Sequence, residues 1–112
     1  MENPKTALEL MKARYNAYVK GDIEFIKKTH DPKTIKGIDW KEAEEWSKNS
    51  KWLGLEILDV VKGETFDTEG IVEFKAKYFD IKENKEFIHH ERSYFVKKGR
   101  HWYYKGWLPV LK

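Results

Sequence analysis

The chain reads as an α+β protein, and two observations point there. Residues 6–50 carry helix caps and apolar positions three or four apart, whereas from Trp52 onward the apolar period drops to two. The strand-like segments then follow one another through short or medium loops. Consecutive hairpins imply an antiparallel sheet with the helices gathered on one face.

The elements follow in order. Thr6-Ala7-Leu8-Glu9 is a capping box, so a first helix starts at Thr6. Leu8, Met11, Tyr15, Tyr18 and Val19 give it an apolar face, and Gly21 ends it. Asp22 caps a short second helix from Ile23 to Lys28. His30-Asp31-Pro32 makes a turn, because the residue before proline is pushed out of α space. Asp39 caps a third helix to about Ser50, with Trp40, Ala43 and Trp46 as its apolar side. Leu53 to Val61 is aliphatic-rich and predicts the first strand; a polar loop with Gly63 and Gly70 follows. From Ile71 to Ile81, Val72, Phe74, Ala76 and Tyr78 alternate with Glu73, Lys75 and Lys77, as in a half-buried strand. Lys82 to Glu86 is a turn, Phe87 to Lys97 a third strand, and His101 to about Trp107 a fourth.

The last two predicted strands are apolar on both faces. Phe87 and Phe95 point one way, and Ile88, Tyr94 and Val96 the other; Trp102 and Tyr104 oppose Tyr103 and Trp107. The outer sheet face is therefore expected to be covered, by a second copy of the chain or by a partner protein.

The chain has 112 residues, enough for one domain spanning 1–112 with a single core. It contains no cysteine, which excludes disulfides, a thiol nucleophile and a Cys-based zinc site. The amino terminus lacks a signal-peptide hydrophobic run, and no apolar stretch nears the about 18 residues of a membrane span. A cytoplasmic protein without membrane contact is expected. There are 22 Lys and Arg against 19 Asp and Glu, and this net charge of +3 does not by itself imply nucleic acid. Lys97, Lys98, Arg100, Lys105 and Lys112 do crowd the C-terminal aromatic hairpin, where stacking and phosphate contact would suit single-stranded nucleic acid. Packing accounts for the same aromatics, so nucleic acid is not the expected partner. A Gly-rich phosphate loop, a serine elbow and a helical His-Glu-x-x-His are all missing from the sequence, leaving nucleotide hydrolysis, triad hydrolysis and zinc proteolysis without support.

Glu91, Arg92 and Ser93 interrupt an otherwise apolar strand. Arg14 similarly lies on the apolar side of the first helix, and the topology brings that helix over the third strand. Two readings compete. In one, Arg14 anchors an acidic ligand while Glu91 acts as base; in the other, Arg14 and Glu91 form a structural ion pair, with Ser93 donating to the carboxylate. The second is the stronger, because a buried carboxylate must find a cation or hydrogen-bond donors. His89 and Glu91 share a strand face, a pair of the kind that can supply two ligands of a His/carboxylate metal site. His90 points the other way and the third ligand would have to be His30 or another distant group, so no metal or other cofactor is assigned. His30 either closes a pocket mouth as acid or base or bonds locally within its turn. Tyr15, Tyr18, Trp46, Trp52, Tyr78 and Trp102 either line an apolar pocket or fill the core. The candidate pocket residues are Arg14, Tyr18, His30, Trp46, Glu91 and Ser93.

Several runs carry a family resemblance: Leu10 to Tyr18, Thr29-His30-Asp31-Pro32, Trp52-Leu53-Gly54-Leu55-Glu56, Gly70-Ile71-Val72-Glu73-Phe74, Glu91-Arg92-Ser93 with Phe95, then Gly99, Trp102, Tyr103 and Tyr104. Over nearly the whole chain, in order, they resemble the YchJ-like family. The resemblance implies a nuclear transport factor 2-like (cystatin-like) cone, with helices packed into the concave side of a curved four-stranded antiparallel sheet and a pocket between them. It covers Glu91 but not His89 and His90. Many members carry SEC-C motifs, short Cys-rich zinc-binding segments, beside this domain; the absence of cysteine means zinc binding is not carried over. Related folds include isomerases, dehydratases, hydrolases and pure binding domains, so fold does not decide function. The leading expectation is a cytoplasmic domain whose small pocket binds a small molecule or partner protein without catalysis. The alternative is a small isomerase-, dehydratase- or hydrolase-like enzyme using Glu91 or His30 as acid or base. A nucleic-acid-associated adaptor is the third reading.

Overall fold

The structure is a computed structural model and describes residues 3–110. Three helices, α1 (Ala7–Lys20), α2 (Ile23–Lys28) and α3 (Trp40–Lys48), precede four strands, β1 (Ser50–Lys62), β2 (Glu69–Asp80), β3 (Lys85–Lys98) and β4 (His101–Leu108). A short 3₁₀ turn, Ile35–Gly37, lies between α2 and α3. The sheet is antiparallel in the order β1-β2-β3-β4, as the run of hairpins predicts.

Each helix starts at its predicted cap. Thr6 Oγ1 accepts from the Glu9 N–H at 3.1 Å, Asp22 from Phe25 at 3.1 Å and Asp39 from Glu42 at 3.0 Å. The Glu9 carboxylate does not reach back to the Thr6 backbone; it faces the Thr6 hydroxyl at 3.4 Å. Gly21 ends α1 in the left-handed conformation, φ 75°.

The buried stripe of α1 differs from the predicted apolar face. Ala7, Leu10, Met11, Arg14 and Ala17 are buried, whereas Val19 is 49% exposed. The helix turns Arg14 inward with its apolar neighbours because the charge finds partners there, described below. Leu10, Val72 and Phe95 form the driest part of the core, joined by Met11, Phe74, Ala76 and Trp102. Ala17, Ile23 and Ile26 make a smaller cluster between α1 and α2. The start of α1 is pinned to the β1–β2 loop. Ala7 donates its N–H to the Gly63 carbonyl at 2.9 Å, and a Cβ on Gly63 would stand 2.7 Å from that of Ala7.

Three register slips shape the sheet. Leu53 and Leu58 are extra residues in β1, and Lys105 is extra in β4. Such bulges bend a strand and increase its twist, and the sheet they bend has α1 packed against β1, β2 and β4. The slip at Lys105 also corrects the predicted facing of Trp107. Register sets Trp107 opposite Ser93, on the same face as Trp102 and Tyr104, although Trp107 remains 71% exposed on the edge strand.

The outer face is less apolar than the strand pattern predicts. Its middle is a charged network. Arg92 Nη1 reaches Glu73 Oε1 at 2.8 Å and Asp59 Oδ2 at 3.0 Å, and His90 Nε2 meets Glu73 Oε2 at 2.7 Å. Apolar groups flank it: Val61, Ile71 and Tyr94 in register on one side, and Ile88, 61% exposed, on the other. Among the described residues no helix is long and apolar enough to cross a membrane.

Candidate functional site

Inward-facing side chains of α1, α3 and all four strands converge on one cavity of about 110 Å³. α1 supplies Met11, Arg14, Tyr15 and Tyr18; α3 supplies Trp46; β1 supplies Trp52. Phe74 and Ala76 come from β2, His89, Glu91, Ser93 and Phe95 from β3, and Tyr104 from β4. Trp46 is the hub of the aromatic wall. Its ring stands edge-on to Tyr18 at 5.3 Å, to Trp52 at 5.2 Å and to His89 at 5.2 Å. Of the six aromatics predicted to line a pocket, Tyr15, Tyr18, Trp46 and Trp52 do so. Tyr78 packs behind Trp46 and Trp52 at 5.7 and 5.3 Å. Trp102 belongs to the core, its Nε1 donating to the Lys5 carbonyl at 3.0 Å.

The polar end holds one anion and one cation. Glu91 Oε2 accepts from Ser93 Oγ at 2.6 Å and from the Tyr104 hydroxyl at 2.8 Å; Oε1 lies 2.9 Å from His89 Nε2. Burial opposes the Glu91 charge, but hydrogen bonds from His89, Ser93 and Tyr104 outweigh it and hold the carboxyl below its usual range. An ionised carboxylate only accepts, so His89 presents Nε2 as an N–H. Burial and the adjacent Glu91 charge together raise the Tyr104 hydroxyl, keeping it protonated as a donor. Burial likewise raises Tyr18.

Arg14 and Glu91 share the cavity but do not form the expected ion pair. Arg14 Nη1 donates to the Ile26 carbonyl at 2.8 Å and to Thr29 Oγ1 at 2.7 Å. Its guanidinium sits 4.6 Å from the centroid of the Tyr104 ring. Tyr104 therefore serves both charges, its ring taking Arg14 and its hydroxyl taking Glu91. The carbonyl end of α2 takes one side of the cation, where positive charge suits the helix dipole. Burial lowers the Arg14 pKa, while Tyr18, Tyr104 and Glu91 oppose that fall. Ser93 is where the sequence puts it, on the Glu91 carboxylate.

His30 does not close the cavity. It is buried behind Tyr104, with its ring 5.4 Å from Tyr104 and 5.9 Å from Trp40, and Nε2 is 3.1 Å from Thr34 Oγ1. Burial and Arg14 lower its pKa, favouring neutral imidazole. Among the described residues no three His, Asp or Glu side chains gather around one point.

Two positioning residues escaped the sequence reading. Tyr104 read as one more aromatic in a packed strand, and Asp31 as a turn residue. Asp31 is fully buried. Its Oδ1 accepts from the Lys33 N–H at 2.8 Å and from Lys98 Nζ at 2.9 Å. Burial opposes its charge, but those donors prevail and lower the carboxyl. The Asp31 N–H donates to the Tyr104 carbonyl and the Tyr104 N–H to the Thr29 carbonyl, each at 2.8 Å. The Thr29–Asp31 segment thus bridges in parallel onto β4 and fixes the backbone of Tyr104. The Thr29-His30-Asp31-Pro32 run, one of those that carry the family resemblance, was the available signal.

Helices laid on a bulged antiparallel sheet around an interior cavity define a nuclear transport factor 2-like domain. The family profile described as "YchJ, middle NTF2-like domain" matches residues 6–106, and the chain belongs to that family. A UPF0225 protein of Geobacter sulfurreducens is 42% identical over 99 residues, covering 88% of this chain and 60% of its own length. A UPF0225 protein of Haemophilus influenzae is 42% identical over 113 residues, covering 97% of this chain and 67% of that protein. The chain thus spans about three-fifths to two-thirds of these relatives. The solution structure of a SEC-C motif containing protein from Rhodopseudomonas palustris superposes with a TM-score of 0.84 at 30% identity, covering 97% of this chain and 82% of that one. The crystal structure of a SEC-C motif containing protein from Psychrobacter arcticus gives 0.76 at 31% identity, covering 98% and 66%.

Proposed function

We propose that this chain is a single binding domain, cytoplasmic, that holds a small molecule in its concave cavity without chemical conversion. The observation that carries this reading is the contrast between the cavity's aromatic walls and its two fixed charges. Small-molecule sites share that plan, mostly apolar with a few placed polar groups. Catalysis by Glu91 is disfavoured because three donors lower its affinity for a proton, the opposite of what a general base near neutrality needs. His30, the other acid–base candidate, lies outside the cavity lining. We also propose that two copies associate through the outer sheet face, on the strength of the exposed apolar groups flanking the Arg92 network.

Native mass spectrometry of protein purified from its own cells tests the binding reading. The expected result is a non-covalent small molecule released on denaturation. An apo mass in every preparation, together with cavity resonances that no small-molecule probe moves, would overturn it.

A further inference from the structure

The two charges in the cavity are not equally satisfied. Glu91 is saturated on Oε2 by Ser93 and Tyr104 and is met on Oε1 by His89. Arg14 spends both N–H groups of Nη1 on Ile26 and Thr29. Its Nε–H and Nη2 donors meet no protein acceptor among the described residues, yet the side chain is only 8% exposed and lines the cavity. Those two nitrogens form the side edge of the guanidinium, two parallel donors whose spacing matches the two oxygens of a carboxylate.

The electrostatics lean the same way. Hydrogen bonding favours the charged form of Glu91, whereas burial disfavours that of Arg14 even with Glu91 in the same cavity. The cation lacks a contacting anion, whereas the anion has three hydrogen-bond partners. A second carboxylate on the free edge of Arg14 corrects that imbalance. Its body is bounded by the walls. An enclosed apolar cavity of roughly 150 Å³ holds a whole benzene ring; this one measures about 110 Å³ and is open to solvent, so it takes a short chain outright and a ring only with part of it left at the opening.

We infer that the ligand is a small monocarboxylic acid, its carboxylate bidentate on the Nε–Nη2 edge of Arg14 and its body, one ring or a short chain, against Trp46, Tyr18 and Trp52. This rests on the binding reading above and adds the ligand's class. A dianionic phosphate fits less well, since one guanidinium edge provides two donors and Glu91 adds a negative charge nearby.

The experiment titrates the whole chain with benzoate, benzamide, toluene and inorganic phosphate, following the indole and amide resonances of the cavity by NMR. Benzoate is expected to bind at least ~10-fold tighter than benzamide, the gap that a lost charge-assisted pair produces. Phosphate is expected to leave the indole signals unmoved. Arg14→Lys keeps the charge but loses the fork, and should weaken benzoate while sparing toluene. Equal affinity for benzoate and benzamide, or a tighter phosphate, would overturn the carboxylate inference and leave the binding reading standing. If toluene and benzamide also fail to bind, both fall. Should Arg14→Lys not fold, the wild-type comparison of benzoate with benzamide decides alone.

Discussion

Glu91 is held by three side-chain donors, and two of them, Ser93 and Tyr104, can be removed with little change in shape. Tyr104→Phe keeps the ring beneath Arg14 but deletes the hydroxyl on Oε2. It should cost about 1–3 kcal/mol in a denaturant melt, the usual penalty for stripping a partner from a buried charge; an unchanged midpoint would mean that the bond is not made. The pH dependence has a definite sign. The folded carboxyl sits below its unfolded value of about 4.3, so its contribution is present above that pH and fades as the pH drops through the lower folded value. Glu91→Gln should therefore lose stability relative to the wild type at neutral pH, with the gap narrowing below about pH 4. A gap that widens in acid would reverse the assignment. A mutant cycle separates the structure from the simpler ion-pair idea. Because Tyr104 stands between Arg14 and Glu91, their coupling energy should be smaller than that between Glu91 and Tyr104. Chemical denaturation of the three single and two double mutants measures both. The sequence made Arg14, Glu91 and Ser93 legible because each is a polar group where the pattern calls for an apolar one. It did not reveal Tyr104, because a tyrosine in an aromatic strand looks the same whether its hydroxyl is used or idle. His30 misled for a related reason: a histidine before Asp-Pro marks a turn, but not which side of Tyr104 the turn packs on.

At the scale of elements, caps and alternation were readable because they are local. Thr6, Asp22 and Asp39 each bond within three residues, and the β2 alternation runs in unbroken register against β3. The bulges at Leu53, Leu58 and Lys105 were not readable. An extra residue in one strand is defined only against its partner, and in the aliphatic run of β1 both registers look apolar. The bulges decide how the sheet bends around α1 and which face Trp107 takes. The junction of α1 with the β1–β2 loop gives this level its test. Gly63 has φ 78° and its Cβ position is occupied by Ala7. Gly63→Ala should lower stability by more than the ~1–2 kcal/mol of left-handed strain alone, since the contact also pushes α1 off the sheet. Thermal melts monitored by tryptophan fluorescence would register this. A variant as stable as the wild type would show that the junction has room to shift.

For the molecule as a whole, the open question is what the outer face of the sheet does. Its centre, Asp59, Glu73, Arg92 and His90, is internally paired and gains little from a partner. The apolar groups to either side differ: Val61 and Ile88 are 37% and 61% exposed, and Tyr94 is half-buried beside them. A stable dimer buries about 800 Å² per copy, roughly a tenth of the 7497 Å² surface of one chain. A two-fold contact would set each apolar flank against its mate or against the other copy's opposite flank, with the paired charges left at the seam. The proposed association should therefore appear in sedimentation as a dimer at high micromolar concentration, little affected by salt, because apolar contact rather than ion pairing drives it. Ile88→Lys, placed beside Lys77 across the β2–β3 register, should return the chain to a monomer without lowering its folded circular dichroism. A wild-type monomer at that concentration would end the homodimer proposal, and the exposed isoleucine would then mark a surface for some other protein.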